Sequence, residues 1–372
     1  MKSQIALVLN GGGARGSYQA GAVRAIYEIV KKDHLLFDIV TGNSAGAINA
    51  IFLASMARDW GEASQYLYDM WRKITPEDVF DLSHYTIKNI SQDWLTGSLF
   101  KTNKNHVSIN SFLSTNPLRN YLEREINFSE IHSLIEDGLL SGVSLSTTNY
   151  FSGSNIIFYD GEKSIKDWTK LDRLSVRSPL NLEHVMASSA IPLFFPPVKI
   201  NDSYYGDGSI RQITPLSPSI HLGADKIIAV GVRHRLDSQT IKEIISSKNF
   251  NPEITQIVGV ILNAIFLDSL ESDIEHLKKT NELIKNRSDT KLKYIPILSM
   301  EPSIQLGSLT HEMEKELPFI FRYLIKTLGI SKDSGMDVLS YLAFDSSYTK
   351  TVSQLGYNDT WARKDEILAF FD

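Results

Sequence analysis

Ser44 stands in Gly42-Asn43-Ser44-Ala45-Gly46, between a short apolar run from Phe37 to Val40 and a small-residue segment from Ala45 to Ala57. Strand, tight turn, helix is the order in which a Gly-x-Ser-x-Gly presents a serine hydroxyl for attack. Gly42 and Gly46 would support such an elbow, because side chains there would collide with the neighbouring strand and helix. The same pentapeptide also suits an ordinary glycine-rich turn. A serine nucleophile needs a base. The chain has nine histidines. Of these, His184, His221 and His234 occupy plausible loop or helix contexts, and His184 and His221 read better as capping or packing residues. Asp207, in Gly206-Asp207-Gly208-Ser209 directly after an apolar hairpin pattern, is the other candidate. An Asp-Gly turn explains it equally well by local sequence.

A second glycine cluster, Gly11-Gly12-Gly13-Ala14-Arg15-Gly16, follows the buried-strand pattern Ile5 to Leu9 and precedes a helical one from about Ser17. It satisfies G-x-G-x-x-G, the dinucleotide fingerprint. It lacks the Gly-Lys-Ser/Thr ending of a phosphate loop. It also suits an oxyanion hole, with successive unobstructed backbone N–H groups at a helix start. Asp38 lies near the spacing of a ribose ligand but at the start of the second strand, where a ribose would not be. The oxyanion reading by Gly11, Gly12 and Gly13 is therefore preferred, with Arg15 fixing the loop, helping to position charge, or forming a surface salt bridge.

The elements that must position these groups read as an α/β fold. Two strands ending in glycines and two helices fall within the first part of the chain, which argues for a central, mostly parallel sheet flanked by helices. Val143–Thr147, Asn155–Tyr159, Lys226–Val232 and Tyr294–Leu298 read as further strands, and Leu182–Ala190 as a short helix. Residues 58 to about 136, rich in aromatics (Trp60, Tyr66, Tyr68, Trp71, Phe80, Trp94, Phe100), read as a helical insertion whose rings mostly pack in the core. Ile257 to Asn281 carries one long amphipathic pattern, whose mixed charges and length suit a packed helix better than one lying on a membrane. The tail from Met313 to Phe371 reads as helices with a break near Gly356. With no repeat or linker, residues 1–235 are expected to form a catalytic core, and 236–372 the mainly helical remainder of the same compact unit.

The 372-residue chain is 42% hydrophobic, carries a net charge of −5 and contains no cysteine. Dispersed lysines and arginines argue against nucleic-acid binding. Disulfides, thiolate catalysis and cysteine-ligated metals are excluded. No metal-ligand spacing stands out. The amino-terminal apolar run is too short for a signal peptide and reads as a strand, and no window approaches a membrane span. The chain is expected to be soluble and cytoplasmic, with peripheral membrane contact and export without a cleaved signal both left open. Oligomeric state is not readable.

Taken together and in order, the motifs resemble those of the patatin-like phospholipases, serine lipid acyl hydrolases, and their soluble bacterial branch in particular. Gly11–Gly16 is similar to the family's oxyanion loop and Gly42–Gly46 to its nucleophile elbow. Ala187-Ser188-Ser189-Ala190-Ile191-Pro192, with Phe195-Pro196-Pro197-Val198, resembles the segment before the acid, and Gly206-Asp207-Gly208 the motif that holds it. Ser209 departs from the family motif, which often has a second glycine there, and Asn43 falls at a variable position. The resemblance implies a three-layer fold and a Ser44–Asp207 dyad without histidine or cofactor. It also implies an acyl-enzyme route and a phospholipid, lysophospholipid or other acyl-ester substrate. Leu193-Phe194-Phe195 and the aromatic insertion could line an acyl cleft, or equally belong to the core. A patatin-like scaffold that binds lipid or protein without turnover, and a dinucleotide-binding enzyme, are the alternatives.

Overall fold

The computed structural model describes residues 3–31, 36–81, 111, 113–247, 254–285, 292–313 and 336–372. Trp94 and Phe100 of the expected insertion, and the tail between 314 and 335, lie outside the described residues.

Apolar runs become the sheet. Its strands are β1 (Ile5–Leu9), β2 (Ile39–Asn43), β3 (Gly142–Asn149), β4 (Asn155–Gly161), β5 (Thr169–Lys170), β6 (Arg173–Arg177), β7 (Val198–Ile200), β8 (Ser203–Asp207), β9 (Lys226–Val230) and β10 (Ile297–Met300). The spatial order is β10-β9-β1-β2-β3-β4-β6-β5, with β8 added on β3 and β7 on β8. From β10 to β3 every pairing is parallel, whereas β3–β4, β3–β8, β5–β6 and β7–β8 are antiparallel.

Both faces of the parallel part are covered, which is why its strands are apolar throughout rather than alternating. On one face Leu7, Leu9, Val40, Ile228 and Val230 join a core with Ala20, Val23 and Ile26 of the Ser17–Val30 helix, the Ala45–Ser55 helix, and Trp60 and Trp71. On the other, Ala6, Val8, Ile39, Ile227 and Ala229 pack with Leu216, Leu222, Leu270 and Ile274. The architecture is thus helix, mostly parallel sheet, helix. Trp60, Trp71 and Phe80 are buried, in keeping with a core role for these rings.

Three local expectations are corrected. The long pattern from Ile257 divides into two helices, Ile254–Phe266 and Asp268–Ile284. At the junction the buried Asn10 side chain donates to the Phe266 carbonyl at 3.0 Å, taking an acceptor that a continuous helix would use itself. The strand expected over Tyr294–Leu298 begins later, at Ile297, because Ile295 is instead held by Asn281 through its N–H (3.1 Å) and its carbonyl (2.7 Å). The helix Ser346–Trp361 runs through Gly356 unbroken. It crosses the Ser17–Val30 helix so closely that a β-carbon at Gly356 would overlap the Tyr18 carbonyl, and one at Gly21 the Ser353 carbonyl. Gly356 is there for close approach, not for termination. Gly356→Val is therefore expected to cost about 3 kcal/mol of stability, as overpacking of a rigid contact does. Urea unfolding of the variant beside wild type checks it, and unchanged stability would contradict the crossing.

Candidate active site

The carboxyl ends of β1 and β2 lie side by side, Leu9 in register with Gly42. The Gly11–Gly13 loop leaves one and the Ser44 turn the other. Ser44 has φ 54° and ψ −130°, a left-handed conformation that a residue with a side chain adopts only under strain of about 1–3 kcal/mol. Its surroundings impose it. A β-carbon at Gly42 would overlap the Gly46 carbonyl, and one at Gly46 the Leu9 carbonyl. The Ser44 N–H donates to Ser188 Oγ at 3.2 Å, and that hydroxyl donates to the Ser146 carbonyl at 2.6 Å.

Asp207 reaches the same place from the opposite direction. β4 occupies one edge of β3; on the other, β2 pairs with Gly142–Ser146 and β8 with Thr147–Asn149. β8 runs antiparallel to β3, so the carboxyl ends of β2 and β8 meet head-on, Asn43 opposite Ser146 and Asp207 opposite the next residue, Thr147. The Asp207 backbone is held by its N–H donating to Ala190 (3.1 Å) and its carbonyl accepting from Thr148 Oγ1 (2.7 Å). A β-carbon at Gly208 would overlap the Ser146 carbonyl, so the turn lies flat on β3.

Ser44 and Asp207 are both buried. Burial pushes the Asp207 carboxyl up to about 7, against opposing pulls from the nearby Ser44 hydroxyl and from the N–H and hydroxyl of Ser209. The Ser209 N–H donates to Asp207 Oδ1 at 2.9 Å. Ser44 Oγ and Asp207 Oδ2 are each buried without a hydrogen-bond partner, and the serine hydroxyl lies close enough to the carboxyl to pull its pKa down. Long, unclosed contacts of this kind are common before substrate binds.

Asn43 and Ser209 carry more than their sequence positions suggested. Asn43 Nδ2 donates to Ser209 Oγ at 2.8 Å, tying the serine turn to the acid turn. The glycine loop presses on both, since a β-carbon at Gly11 would come 2.6 Å from Ser209 Oγ and 2.8 Å from Ser44 Cβ. Ser209 thus fills the space above an unobstructed glycine. Ser188 lies within Ala187-Ser188-Ser189-Ala190-Ile191-Pro192, but nothing in its local pattern marks it as the partner of the Ser44 N–H.

Arg15 is buried and directs its guanidinium to the Met336–Leu342 helix. Its guanidinium donates to Ser340 Oγ (2.8 Å), Asp337 O (3.2 Å) and Asp337 Oδ1 (2.9 Å), and lies 4.2 Å over the Tyr341 ring. It anchors the glycine loop to the Met336–Leu342 helix through a salt bridge whose arginine is buried and whose aspartate is half-exposed. The three candidate histidines are otherwise employed. His184 belongs to a capping box with Asn181 and packs on Phe158, burial holding it down at about 4. His221 stacks on Trp168, and His234 Nδ1 lies 2.9 Å from the Pro302 carbonyl. Asp38 accepts the Ile5 N–H at 2.8 Å at the amino end of the strands, away from the glycine loop. Phe194 and Phe195 are buried while Leu193 is exposed, so the first two belong to the core.

A three-layer α/β protein with a serine elbow, a facing buried carboxylate and a glycine loop is the class that this geometry defines. The chain belongs to the patatin-like phospholipase family, whose model matches residues 7–220. A curated relative, a cGAMP-activated phospholipase of Escherichia coli (strain TW11681), is 26% identical over 221 residues, 56% of this chain and 52% of that protein. The chain thus spans about half the length of the curated relative that it matches. Among solved structures it is similar to VipD from Legionella pneumophila at 12% identity and TM-score 0.35, over 98% of this chain and 67% of that one, a likeness too slight to argue from. Among the described residues no helix is long and apolar enough to cross a membrane.

The raised Asp207 pKa has a consequence for stability. The unfolded carboxyl releases its proton near pH 4 and the folded one near 7. Between those values the unfolded state binds fewer protons, so stability falls as pH rises and levels off above about 7. Asp207→Asn removes the buried charge. It is expected to unfold at higher urea than wild type at pH 8, by up to about 4 kcal/mol, with the advantage shrinking toward pH 4. Parallel pH–stability curves for the two proteins would contradict the burial of that charge.

Proposed function

We propose that the chain is a lipid acyl hydrolase that cleaves carboxylic esters of phospholipids or lysophospholipids, with Ser44 as nucleophile and Asp207 as its base. The observation that carries this reading is the strained Ser44 turn set against a buried, otherwise unpartnered carboxylate oxygen beside the Gly11–Gly13 loop. Asp207 takes the Ser44 proton as Oγ attacks the ester carbonyl, then returns it to the leaving alcohol. Water, deprotonated by the same carboxylate, releases the fatty acid. The backbone N–H groups of Gly12 and Gly13 receive the oxyanion, each such donor contributing about 3 kcal/mol. A carboxyl near 7 is a far better matched base than one near 4, and burial supplies the difference.

The dinucleotide alternative loses its ribose ligand, since Asp38 is committed at the other end of the strands. The scaffold alternative has no support in a site that retains both Ser44 and Asp207.

A fluorophosphonate probe is expected to label wild type and not Ser44→Ala. Hydrolysis of a short-chain acyl ester should fall about a thousandfold or more in Ser44→Ala and nearly as far in Asp207→Asn, whereas His184 and His221 substitutions should retain turnover. Equal labelling of wild type and Ser44→Ala would assign the nucleophile elsewhere. Because Asp207 must be ionised to accept the proton, kcat/KM is expected to rise with pH through about 7 to a plateau. A profile flat from pH 5 to 9 would remove Asp207 from the role. Running the ester assay with and without cGAMP tests whether the activation named for the relative extends to this chain.

A further inference from the structure

The helix Ile254–Phe266 separates two environments. Its inner side, with Leu262 and Phe266 buried, joins the core and packs against the Gly208–Ile210 turn that follows Asp207. It also packs on the Met336–Leu342 helix, which in turn covers the Gly13–Gly16 turn of the glycine loop. Asn263 fastens it there, its Nδ2 donating to Asp337 Oδ2 (3.1 Å) and its Oδ1 accepting from the Tyr341 hydroxyl (2.8 Å). Asp337 and Tyr341 are the residues that engage Arg15. One polar chain, Arg15–Asp337–Asn263–Tyr341, therefore latches this helix to the loop expected to hold the oxyanion. Beside the latch lies a cavity of about 510 Å³, bordered by Arg15, Asn263, Leu267 and Asp337, so the helix is not packed solid along that edge.

The outer side is of the opposite kind. Ile257, Val260 and Ile261 are 48%, 68% and 51% exposed, and Ala264 is exposed as well. Positions i, i+3, i+4 and i+7 form one continuous apolar stripe. None of the helix's thirteen residues is charged. The mixed charges of the longer sequence pattern all fall in the next helix, Asp268–Ile284. Ile241 and Ile245, one turn apart on the Ser238–Ser247 helix, are exposed too. At about 1.5 Å per residue the charge-free helix is some 20 Å long, too short to cross a bilayer but suited to lie in its surface.

We propose that Ile254–Phe266 is a lipid-facing lid. Its outer stripe enters the surface of the lipid aggregate that carries the substrate, and this draws its inner face off the Asp207 turn and parts the Asn263–Asp337 latch. The lipid surface is the occupant because the stripe is continuous, through one helix, with the cover of a site read as acting on lipid esters, and because no charge on the helix would be desolvated on entry. The proposal rests on the hydrolase reading only for what the opened site does; the lipid-binding face is tested without turnover.

The first measurement is cosedimentation with phosphatidylcholine vesicles, in the full chain carrying Ser44→Ala. Adding Val260→Glu and Ile261→Glu, both at exposed positions, should weaken vesicle binding about tenfold or more for each residue. Unchanged binding, or no binding by the parent, overturns the proposal. The second measurement uses the absence of native cysteine. A β-carbon at Gly259 would lie 3.5 Å from Asp337 Cβ, within the range that a disulfide spans. With vesicles present, the Gly259→Cys/Asp337→Cys variant should be labelled by a fluorophosphonate at Ser44 at least about tenfold more slowly when oxidised than after reduction. Equal rates overturn the lid. If the probe labels no form, wild type included, the nucleophile assignment falls instead, and the vesicle measurement alone decides the lipid-facing surface.

Discussion

The site depends on the sharing of one edge of β3 by two strands that run in opposite directions. β2 uses that edge as far as Ser146 and β8 takes it up at Thr147. Neither strand contributes a residue to the other's hydrogen-bond ladder, yet the shared backbone sets Asn43, the residue before Ser44, and Asp207 one residue step apart along β3. The β3–β4 hairpin fixes that edge from behind, and Thr148 binds the Asp207 carbonyl directly. Precision here comes from backbone register in a buried sheet, where a slip of one residue would turn every side chain to the wrong face.

What this arrangement supplies chemically, it costs in stability. An acid without a histidine partner is a weak base at its ordinary pKa, and the protein raises it by removing water rather than by adding a second charge. One oxygen is held by the Ser209 N–H, which keeps the carboxyl oriented; the other has no hydrogen-bond partner, in a carboxyl that feels the Ser44 hydroxyl beside it. The serine turn adds its own strain. Both terms destabilise the native state, and the surrounding burial of Leu7, Leu9, Val40, Ile228 and Val230 must offset them. The sites of greatest expense are the two groups that the proposed chemistry needs, as expected where a structure departs from local preference.

The glycine motifs were readable in the chain because each glycine answers a steric demand that no other residue meets. Gly42, Gly46 and Gly208 all lie where a β-carbon would enter a backbone carbonyl. The parallel sheet was readable for a similar reason, since strands buried on both faces are apolar without alternation. Asp207 was less so. Its local pattern is an ordinary turn, and only its order among other motifs distinguished it, because the register that brings it to Ser44 is a property of β3. Asn43, Ser188 and Ser209 were harder still, as a side chain tying two distant turns leaves no periodicity behind. The junction at Phe266 and the crossing at Gly356 were misread because both depend on partners elsewhere in the chain, Asn10 and Tyr18.

The family match ends at residue 220, but the site does not. β9 pairs with β1 and supports the strand from which the glycine loop departs, while Gln19 Nε2 bridges the Asn10 and Val230 carbonyls at its base. A β-carbon at Gly12 would strike Val232, and one at Gly13 the Tyr341 carbonyl. Arg15, inside the amino-terminal motif, donates to Asp337 and Ser340 of the Met336–Leu342 helix. A loop built to present free backbone N–H groups has no side chains with which to hold itself, so its conformation must be imposed from outside. In this chain the carboxyl-terminal segment imposes it, through the contacts of Arg15 with Asp337 and Ser340 and of Gly13 with the Tyr341 carbonyl.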